Sequence, residues 1–474
     1  KSRRGLDPPC SKQYQKYQLS YNTRVTIMKL ANAIKRCFKR SNSGNGGWAS
    51  EKDIHSLLKA PENGGVVIGG YAGKPLIYGG NNHVVAVGGP RSGKGVGLVI
   101  PTLMNYQGSV VVHDVHGELY RATAEHRRAI GQKVFRFAPG EDGSPRFNPL
   151  DTVRFGTEHE LDDVRSVAAA VCPPVSHFDK WAFSVITAVL LHGINQHGQA
   201  FTLADAYSLS QRQAIVDELA HSAVSVVRET AKEMMRVQSP NELSGIMSTV
   251  AHFLCVYGDA SVAQATSSSD FSLDELQNGD TPVTLYLVTD SADAERVTRI
   301  HQALLALVIK RGLSTTIRFQ DGHTVPPYRH KLLLLLDDYD RFERGVYGLS
   351  DGLAFMSGYG IQSYVTVQNA QQLERLDSIV ANSHIRIFLS PADMETAEYV
   401  SKLLGNIEDE AGCRKPLLTP DEVLRLPPGP MYRLPNGAVR HIYGLACLTL
   451  RAGNAPIFGA VVPCWKMGSK QSEL

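Results

Sequence analysis

The sequence predicts an α/β fold in which a mainly parallel, twisted sheet is interrupted by an inserted all-α domain. Short apolar runs alternate with helical patterns, as in HVVAVGG (83–89), GSVVVHD (108–114) and KLLLLLDD (331–338), and this alternation is typical of a doubly wound sheet. From about residue 158 to residue 270, helical periodicity replaces the alternation and strand signals become rare. The composition, 43% hydrophobic and 20% charged, is ordinary for a folded α/β protein and excludes a fibrous or disordered chain.

The chain has 474 residues, enough for two or three domains with well-buried cores. Its longest apolar run covers residues 181–194 (WAFSVITAVLLHGI) and includes His192. This run is shorter than the roughly 18–20 residues of a membrane span. We therefore interpret it as a buried helix of the inserted domain.

The net charge of +3 conceals a basic N-terminal arm. Residues 1–40 contain eleven Lys and Arg and a single acid, Asp7, so the arm carries +10 and the remainder −7. Within it, residues 24–39 (RVTIMKLANAIKRCFK) predict a basic amphipathic helix, followed by a flexible linker at 41–47. The arm indicates an anionic partner, either membrane lipid or nucleic acid, although a solvated terminal arm explains the charge as well.

The stretch VGGPRSGKGVG (87–97) predicts a phosphate-binding loop. It fits G-x-x-x-x-G-K from Gly88 to Lys94, but Gly95 stands where a Ser or Thr hydroxyl usually holds magnesium. Glycines allow backbone N–H groups to wrap phosphates, and Lys94 would reach the β- and γ-phosphates. A glycine turn with an incidental lysine is the alternative. The predicted nucleotide-binding residues are Gly88, Gly89, Pro90, Arg91, Ser92, Gly93, Lys94, Gly95 and Val96.

Acidic residues follow the five leucines of KLLLLLDDYDRF, where a central strand would open at the ligand crevice. Asp337 is predicted to hold magnesium and Asp338 to orient the attacking water, with helix capping as the alternative. Gln368 ends the strand SYVTVQ and is predicted to sense the γ-phosphate, unless it only forms a turn. Asp114 and Glu118 would either add cation ligands or cap the next helix.

With these motifs placed, the chain resembles the TraG-like coupling ATPases of type IV secretion and bacterial conjugation. The resemblance runs in order from about Trp48 to Leu426. It rests on blocks that include GGPRSGKGVGLVIPTL, SVVVHDVHGE, RFNPLD, SSSDFSLDEL, LLLLLDDYD and IRIFLSPADMETAEYVSKLLG. It implies a RecA-like P-loop NTPase domain, with ATP and Mg²⁺ as cofactors. It also accounts for Gly95, because members of that family commonly carry the same GKG ending.

The resemblance also implies partners and a location. It implies a homo-hexamer on the cytoplasmic face of the bacterial inner membrane, anchored by a segment upstream of Lys1, with the basic arm against anionic lipid. The ring would recruit protein effectors or relaxase–DNA substrates to the secretion channel, and single-stranded DNA is a further candidate partner. A neighbouring subunit's arginine would complete each site, with Arg341 and Arg344 as candidates.

Two positions depart from the family pattern. The family usually has Asp-Glu where this chain has Asp337-Asp338, and lysine where it has His116. A carboxylate shorter by one methylene displaces the water by about 1 Å, which can cost roughly 10²-fold in rate. The sequence therefore leaves two main hypotheses open: a coupling motor driven by ATP hydrolysis, and an ATP-binding substrate receptor with little turnover. The inserted helical domain counts against a third, a soluble DNA translocase.

These patterns divide the chain into five parts. They are a basic arm and linker (1–47), the first part of the nucleotide-binding domain (48–157), the all-α domain (158–270), the second part of the nucleotide-binding domain (271–445) and a C-terminal tail (446–474).

Overall fold

The computed structural model of the chain describes residues 47–289, 294–320, 323–342, 345–374, 377–408, 412–426, 431–433, 439–441, 445–461 and 463–464. The basic helix predicted over residues 24–39 lies outside them and stays a prediction.

One large sheet organises the described residues, and within them it contains nine strands in the order β17 (Ile457–Val461), β16 (Leu445–Arg451), β11 (Ile385–Leu389), β3 (Val84–Val87), β10 (Ile361–Val367), β9 (Leu332–Leu336), β4 (Ser109–Val115), β6 (Val283–Thr289) and β5 (Lys133–Phe137). From β11 to β5 all neighbours run parallel, and β16 and β17 add an antiparallel pair at the β11 edge. The predicted α/β class with a mainly parallel sheet is therefore confirmed. The other described strands form separate two-stranded pairs: β1 (Val66–Tyr71) with β2 (Lys74–Tyr78), β7 (Arg318–Gln320) with β8 (His323–Val325), β12 (Asn406–Glu408) with β13 (Arg414–Pro416), and β14 (Met431–Arg433) with β15 (Val439–His441).

Helices cover both faces of this sheet, and further helices form the region between β5 and β6. They are α1 (Glu51–Ile54), α2 (Ile100–Asn105), α3 (Glu118–Ala129), α4 (Glu160–Val171), α5 (His177–His197), α6 (Leu203–Ser210), α7 (Ile215–Ala220), α8 (Ser225–Met235), α9 (Pro240–Leu254), α10 (Ala260–Ala265), α11 (Glu275–Asn278), α12 (Ala294–Leu313), α13 (Leu349–Met356), α14 (Ala370–Glu374), α15 (Asp377–Asn382), α16 (Met394–Leu404) and α17 (Pro420–Leu424).

Alternate residues of each strand enter two separate apolar cores. Val110 and Val112 of β4 pack with α2, α3 and the hairpin β1–β2, on what we call the loop face. Val111 packs on the opposite face with α12 and with the helices α4 and α5. Successive side chains of a strand point to opposite faces, and covering both faces explains why β9 is five consecutive buried leucines.

The residues between β5 and β6 are helical, from α4 to α11, with short 3₁₀ turns between them. The 21-residue α5 runs through this region and is almost continuously buried from Val185 to Ile194. The sequence run 181–194 is thus part of a buried helix, as predicted. Among the described residues no helix has the length and apolar character needed to cross a membrane.

The end of the chain differs from the sequence-based division. A tail was predicted from residue 446, but β16 starts at Leu445 and pairs antiparallel with β11, and β17 follows it. The boundary at 445/446 is therefore wrong, because it cuts a strand of the main sheet. The physical reason is the apolar run LACLTL, which covers the exposed edge of β11 and buries Cys447 and Leu448.

Pro101 lies within the helical segment that follows the phosphate loop. The helical segment that follows the loop begins with a π-helical turn at Gly95–Val99 and continues into α2, so Pro101 lies inside a continuous helical stretch. In the π turn the N–H of Ile100 donates to the carbonyl oxygen of Gly95, five residues back. This local change of hydrogen-bond register accommodates a residue that cannot donate an N–H.

Candidate nucleotide-binding site

The predicted phosphate loop (88–96) and the acidic pair Asp337-Asp338 each follow the end of a strand, and these two strands flank the same central strand. β10 lies between β3, which leads into the loop, and β9, which leads into Asp337. The N–H of Gly88 donates to the carbonyl oxygen of Val367 over 3.1 Å, so the loop leaves the sheet bonded to β10. With strands about 5 Å apart, loop and acids are separated by about 10 Å, which leaves room for a phosphate group and a cation.

The loop has the backbone of an anion cradle. Gly93 has φ +88°, in the left-handed region that glycine adopts without strain, and an added Cβ would collide with Leu445. At Gly88 a Cβ would lie 2.5 Å from Ser92 Oγ. That hydroxyl is buried and has no hydrogen-bond partner. The first turn of the helix that starts after Gly93 also leaves N–H groups without helical acceptors, so this loop presents unpaired donors to an anion.

Lys94 brings a positive charge into the crevice. Its side chain is only 9% exposed, and Nζ donates to the carbonyl oxygens of Gly88 and Gly89, the latter over 3.5 Å. Burial lowers the pKa of Lys94, while the charges of Asp338, Asp337 and Asp340 act to raise it. The lysine and the acidic segment are therefore within electrostatic reach of each other, as the prediction from the two motifs required.

Thr366 connects the two acids. Its hydroxyl donates to Asp337 Oδ1 over 2.6 Å, and the backbone N–H of Asp338 donates to Thr366 Oγ1 over 3.0 Å. Burial raises the pKa of Asp337 to about 6, helped by the negative charge of Asp338, whereas the Thr366 hydrogen bond works in the opposite direction. Asp337 is therefore a carboxylate that burial holds close to protonation, and a cation beside it would favour its ionised form.

Asp338 has a left-handed backbone with φ +47° and begins the 3₁₀ turn Tyr339–Arg341. Aspartate and asparagine tolerate this conformation better than longer side chains do. The local backbone thus favours the short acid that distinguishes this chain from the family pattern.

His113 supports the acidic strand from the opposite face of the sheet. Its Nδ1 lies 2.8 Å from the carbonyl oxygen of Asp337, which can only accept, so Nδ1 carries the proton. Burial lowers the pKa of His113 to about 4. Its ring lies 4.4 Å from that of Phe342 and 6.2 Å from that of His301 on α12. His113 therefore joins the acidic strand to the helix that packs behind it.

Asp114 and Glu118, the two further candidates for cation ligands, lie at the end of β4 and the start of α3. Asp114 accepts hydrogen bonds from the N–H groups of Leu119 over 3.1 Å and Tyr120 over 2.7 Å, at the start of α3. Of the two interpretations of Asp114, this contact favours helix capping. Glu118 is exposed in the first turn of α3. His116, the second departure from the family, is exposed with φ +78°.

Gln368 lies directly after β10, beside the start of the loop. Its backbone N–H donates to Gln372 Oε1 over 2.6 Å, and Gln372 in turn donates to Asp340. Arg341 is exposed three residues after Asp338, and Arg344 lies outside the described residues. The catalytic role predicted for Gln368 stays a prediction.

The residues present fit magnesium and a nucleotide. The orphaned hydroxyl of Ser92 and the loop geometry suit a phosphate, and the carboxylates of Asp337 and Asp338 are the oxygen ligands that Mg²⁺ prefers. Space beside Gly95 is open, because an added Cβ would meet no atom within 4 Å. Water or phosphate oxygens can therefore approach a cation beside Gly95, in place of the missing side-chain hydroxyl.

Two residues that contact the acidic pair, Thr366 and His113, are not predicted by the sequence analysis. Both stand near the carboxyl ends of strands adjacent to β9, and that position was the only signal available.

Comparison with known proteins identifies relatives of one kind. The family model described as type IV secretory system conjugative DNA transfer matches residues 47–411. The chain is 33% identical to a conjugal transfer protein TraG of Escherichia coli, over 85% of this chain and 74% of that protein. It is 28% identical to protein VirD4 of Agrobacterium fabrum, over 80% of this chain and 59% of that protein.

Solved structures share the fold. The plasmid coupling protein TrwB in complex with a non-hydrolysable ATP analogue superimposes with a TM-score of 0.65 at 15% identity, over 88% of this chain and 93% of that one. TrwB in complex with ADP and Mg²⁺ gives a TM-score of 0.64 at 14% identity, over the same shares of the two chains. The RecA-like P-loop fold of the sequence analysis is thereby confirmed.

Proposed function

Because the chain belongs to the family of type IV secretory system conjugative DNA transfer proteins, we propose that it is a coupling ATPase that binds ATP with Mg²⁺ and hydrolyses it to drive substrates into the secretion channel. The family makes it a coupling protein of conjugation and type IV secretion. ATP turnover, substrate recruitment and force generation are the proposed steps.

The observation that carries the proposal is the placement of Lys94 and the acidic pair on opposite sides of β10. A lysine in a phosphate loop and carboxylates one strand removed form the two halves of a phosphoryl-transfer site. The nucleotide complexes of TrwB support the same reading, since that protein shares this fold.

Each residue has a defined task in the proposed reaction. Lys94 leaves the carbonyl oxygens of Gly88 and Gly89 to neutralise charge on the β- and γ-phosphates. Asp338 orients the attacking water, and Gln368 contacts the γ-phosphate at the end of β10. Asp337 would hold Mg²⁺, which when bound neutralises charge that builds up on the phosphates.

The proposed assembly follows from the family resemblance. Six copies form a ring at the cytoplasmic face of the inner membrane, with the basic arm of residues 1–40 against anionic lipid. An arginine from the adjacent copy completes each site, and Arg341 is a candidate because it is exposed close to Asp338. The substrates are protein effectors or relaxase–DNA complexes delivered to the channel components.

Steady-state ATP hydrolysis tests the proposal, at protein concentrations that permit ring assembly, with and without single-stranded DNA. We expect turnover that Lys94→Ala abolishes, because Lys94 is the buried cation of the loop, whereas Arg91 is exposed. The exposed Lys180 on α5 provides the control, since Lys180→Ala should leave turnover unchanged. Turnover that survives Lys94→Ala would refute the site assignment.

A second candidate, an ATP-binding receptor with little turnover, is favoured by one observation. Asp338 is both shorter than the family's glutamate and held in a left-handed backbone by its N–H bond to Thr366. Asp338→Glu separates the two candidates in the same assay. A motor tuned to its aspartate should gain nothing from the longer side chain, whereas a receptor that lost its water-orienting group should gain turnover. Tight ATP binding without turnover in any condition would establish the receptor.

A further inference from the structure

One buried hydroxyl contacts both acids of the proposed site. Thr366 is fully buried in β10, in register with Ala86 of β3 and one position beyond the Val365–Leu336 pair with β9. Its Oγ1 lies 2.6 Å from Asp337 Oδ1 and 3.0 Å from the backbone nitrogen of Asp338. No other hydrogen bond to the Asp337 carboxylate is formed by the side chains and N–H groups that the structure describes.

The direction of both bonds follows from their chemistry. The N–H of Asp338 can only donate, so the Thr366 oxygen accepts there and keeps its single proton for Asp337. Asp337 Oδ1 is therefore occupied as an acceptor, and Oδ2 is the carboxylate oxygen left for a cation or its water. A hydroxyl at this point thus selects which oxygen of Asp337 is available.

The second bond acts on the backbone. Asp338 has φ +47°, a conformation that needs support for a non-glycine residue, and its N–H is anchored by the same hydroxyl. The following residue of β10, Val367, accepts the N–H of Gly88 at the start of the phosphate loop. Two successive residues of β10 therefore set the positions of the loop and of the acids.

From this geometry we propose that Thr366 is a positioning residue, which orients Asp337 and Asp338 so that the site binds the cation-bound form of the nucleotide in preference to the free nucleotide. The inference rests on the proposed nucleotide site and adds to it the residue that couples the acids. Thr366 itself contacts neither the phosphates nor the water in this proposal.

Equilibrium binding of the fluorescent nucleotide N-methylanthraniloyl-ADP to the full chain tests this, once with Mg²⁺ and once with EDTA. Thr366→Val keeps the shape of the side chain but removes both hydrogen bonds, and Thr366→Ser restores the hydroxyl. Ser363→Ala is the matched control, because Ser363 Oγ is a buried hydroxyl of the same strand without a partner. Should Thr366→Val not fold, Thr366→Ala takes its place.

We expect Mg²⁺ to tighten binding by the wild-type chain, and Thr366→Val to reduce that enhancement by about tenfold or more, since hydrogen bonds to charged groups are of that strength. Affinity in EDTA should stay within about twofold, because the loop is untouched. Thr366→Ser and Ser363→Ala should retain the enhancement. A full enhancement in Thr366→Val, or an equal loss in Ser363→Ala, would overturn the proposal.

A second measurement separates this proposal from the proposed function. Unfolding in urea without nucleotide or cation compares Thr366→Val, Asp337→Ala and the double variant. The two substitutions should be non-additive, with the double variant more stable than the sum of the two single effects predicts, because both substitutions remove the same contact. Additive effects would refute the positioning role even if nucleotide binds. A wild-type chain that binds no nucleotide, with non-additive unfolding, would refute the proposed function and leave the contact standing.

Discussion

The guanidinium of Arg127 donates to the carbonyl oxygen of Leu103 over 3.0 Å, at the far end of the helical stretch that begins at the phosphate loop. It also donates to the carbonyl oxygens of Tyr106 and Gly108 and to the Thr284 hydroxyl. Arg127 is completely buried, and burial lowers its pKa to about 10. One side chain of α3 thus satisfies the terminal carbonyls of α2 and ties them to β6.

Arg127→Met should therefore destabilise the fold by about 3 kcal/mol or more, because it leaves several buried carbonyl oxygens without donors. Urea unfolding at pH 7.5 measures the free energy. Arg128 provides the control, since it is exposed and contacts only Tyr120 among the described side chains, by stacking on its ring and donating to its hydroxyl, so Arg128→Met should cost less than about 1 kcal/mol. Equal costs for the two variants would contradict the capping role.

Burial of His113 should make part of the stability pH-dependent. Its pKa of about 4 in the folded chain lies below the ordinary histidine value of 6.5, so the unfolded chain takes up a proton first as the pH falls. The contribution of His113 to the free energy of unfolding is complete above pH 6.5. About 3 kcal/mol of it is lost as the pH falls from 6.5 to about 4. The groups that act on His113 are Asp337, Asp338 and Arg341, with His301 across the core.

Urea unfolding between pH 7 and 4.5 compares wild type with His113→Leu. The variant should lose less stability over this range, although not none, because the pKa values of other buried histidines are also lowered. His55→Leu, at an exposed position, should follow wild type. An identical loss in His113→Leu would contradict the assignment, whatever its stability at pH 7.

Asp337 should have the opposite pH dependence. Its folded pKa of about 6 lies above the ordinary aspartate value of 3.8, so its contribution to stability is complete below pH 3.8 and is lost as the pH rises through about 6. In EDTA and without nucleotide, Asp337→Asn should therefore be more stable than wild type at pH 8, by up to about 3 kcal/mol. This gain should shrink towards pH 4.

Unfolding of Asp337→Asn at pH 8 and pH 4 provides the measurement, with Asp142→Asn as an exposed control that should show no such difference. The same variant should lose the Mg²⁺-dependent part of nucleotide binding. A cation-binding carboxylate is expected to behave in this way, because it destabilises the empty fold but is needed to bind the cation. A variant that is equally destabilised at both pH values would show that Asp337 is structural.

Local patterns in the sequence were sufficient for the fold class, and they predict both halves of the proposed site. The loop GGPRSGKGV and the strand LLLLLDD each carry their signal within a dozen residues. Thr366 was missed although Gln368, two residues on, was singled out. Its importance arises only because β10 lies beside β9, a pairing of distant segments that periodicity does not encode.

The same limit explains the other differences. Asp114 carries the same sequence signal whether it caps a helix or binds a cation, and only the N–H groups of Leu119 and Tyr120 decide between the two. The strands β16 and β17 fall in the predicted tail because β11, the strand that joins β16 to the sheet, lies more than fifty residues earlier. Arg127 gave no signal at all, since its acceptors are mostly main-chain carbonyls.

The missing hydroxyl at Gly95 can be restored without strain. An added Cβ at Gly95 would meet no atom within 4 Å, whereas at Gly97, half a turn further, it would lie 2.7 Å from Val461 Cβ. Gly95→Ser should therefore leave the free energy of unfolding unchanged or raise it by about 0.5 kcal/mol, because serine is a better helix former than glycine. Gly97→Ser should lower it by about 1–3 kcal/mol through overpacking.

The two serine variants also separate packing from cation binding. A hydroxyl after the loop lysine is the usual Mg²⁺ ligand of phosphate loops, so Gly95→Ser should strengthen the Mg²⁺-dependent part of nucleotide binding, about two- to tenfold. Binding of the fluorescent nucleotide with Mg²⁺ and with EDTA measures this. If Gly95→Ser folds normally but the ratio is unchanged, the cation lies too far from residue 95 for a side chain to reach it. The glycine would then be part of a different cation geometry, in which Asp337 and water supply the ligands.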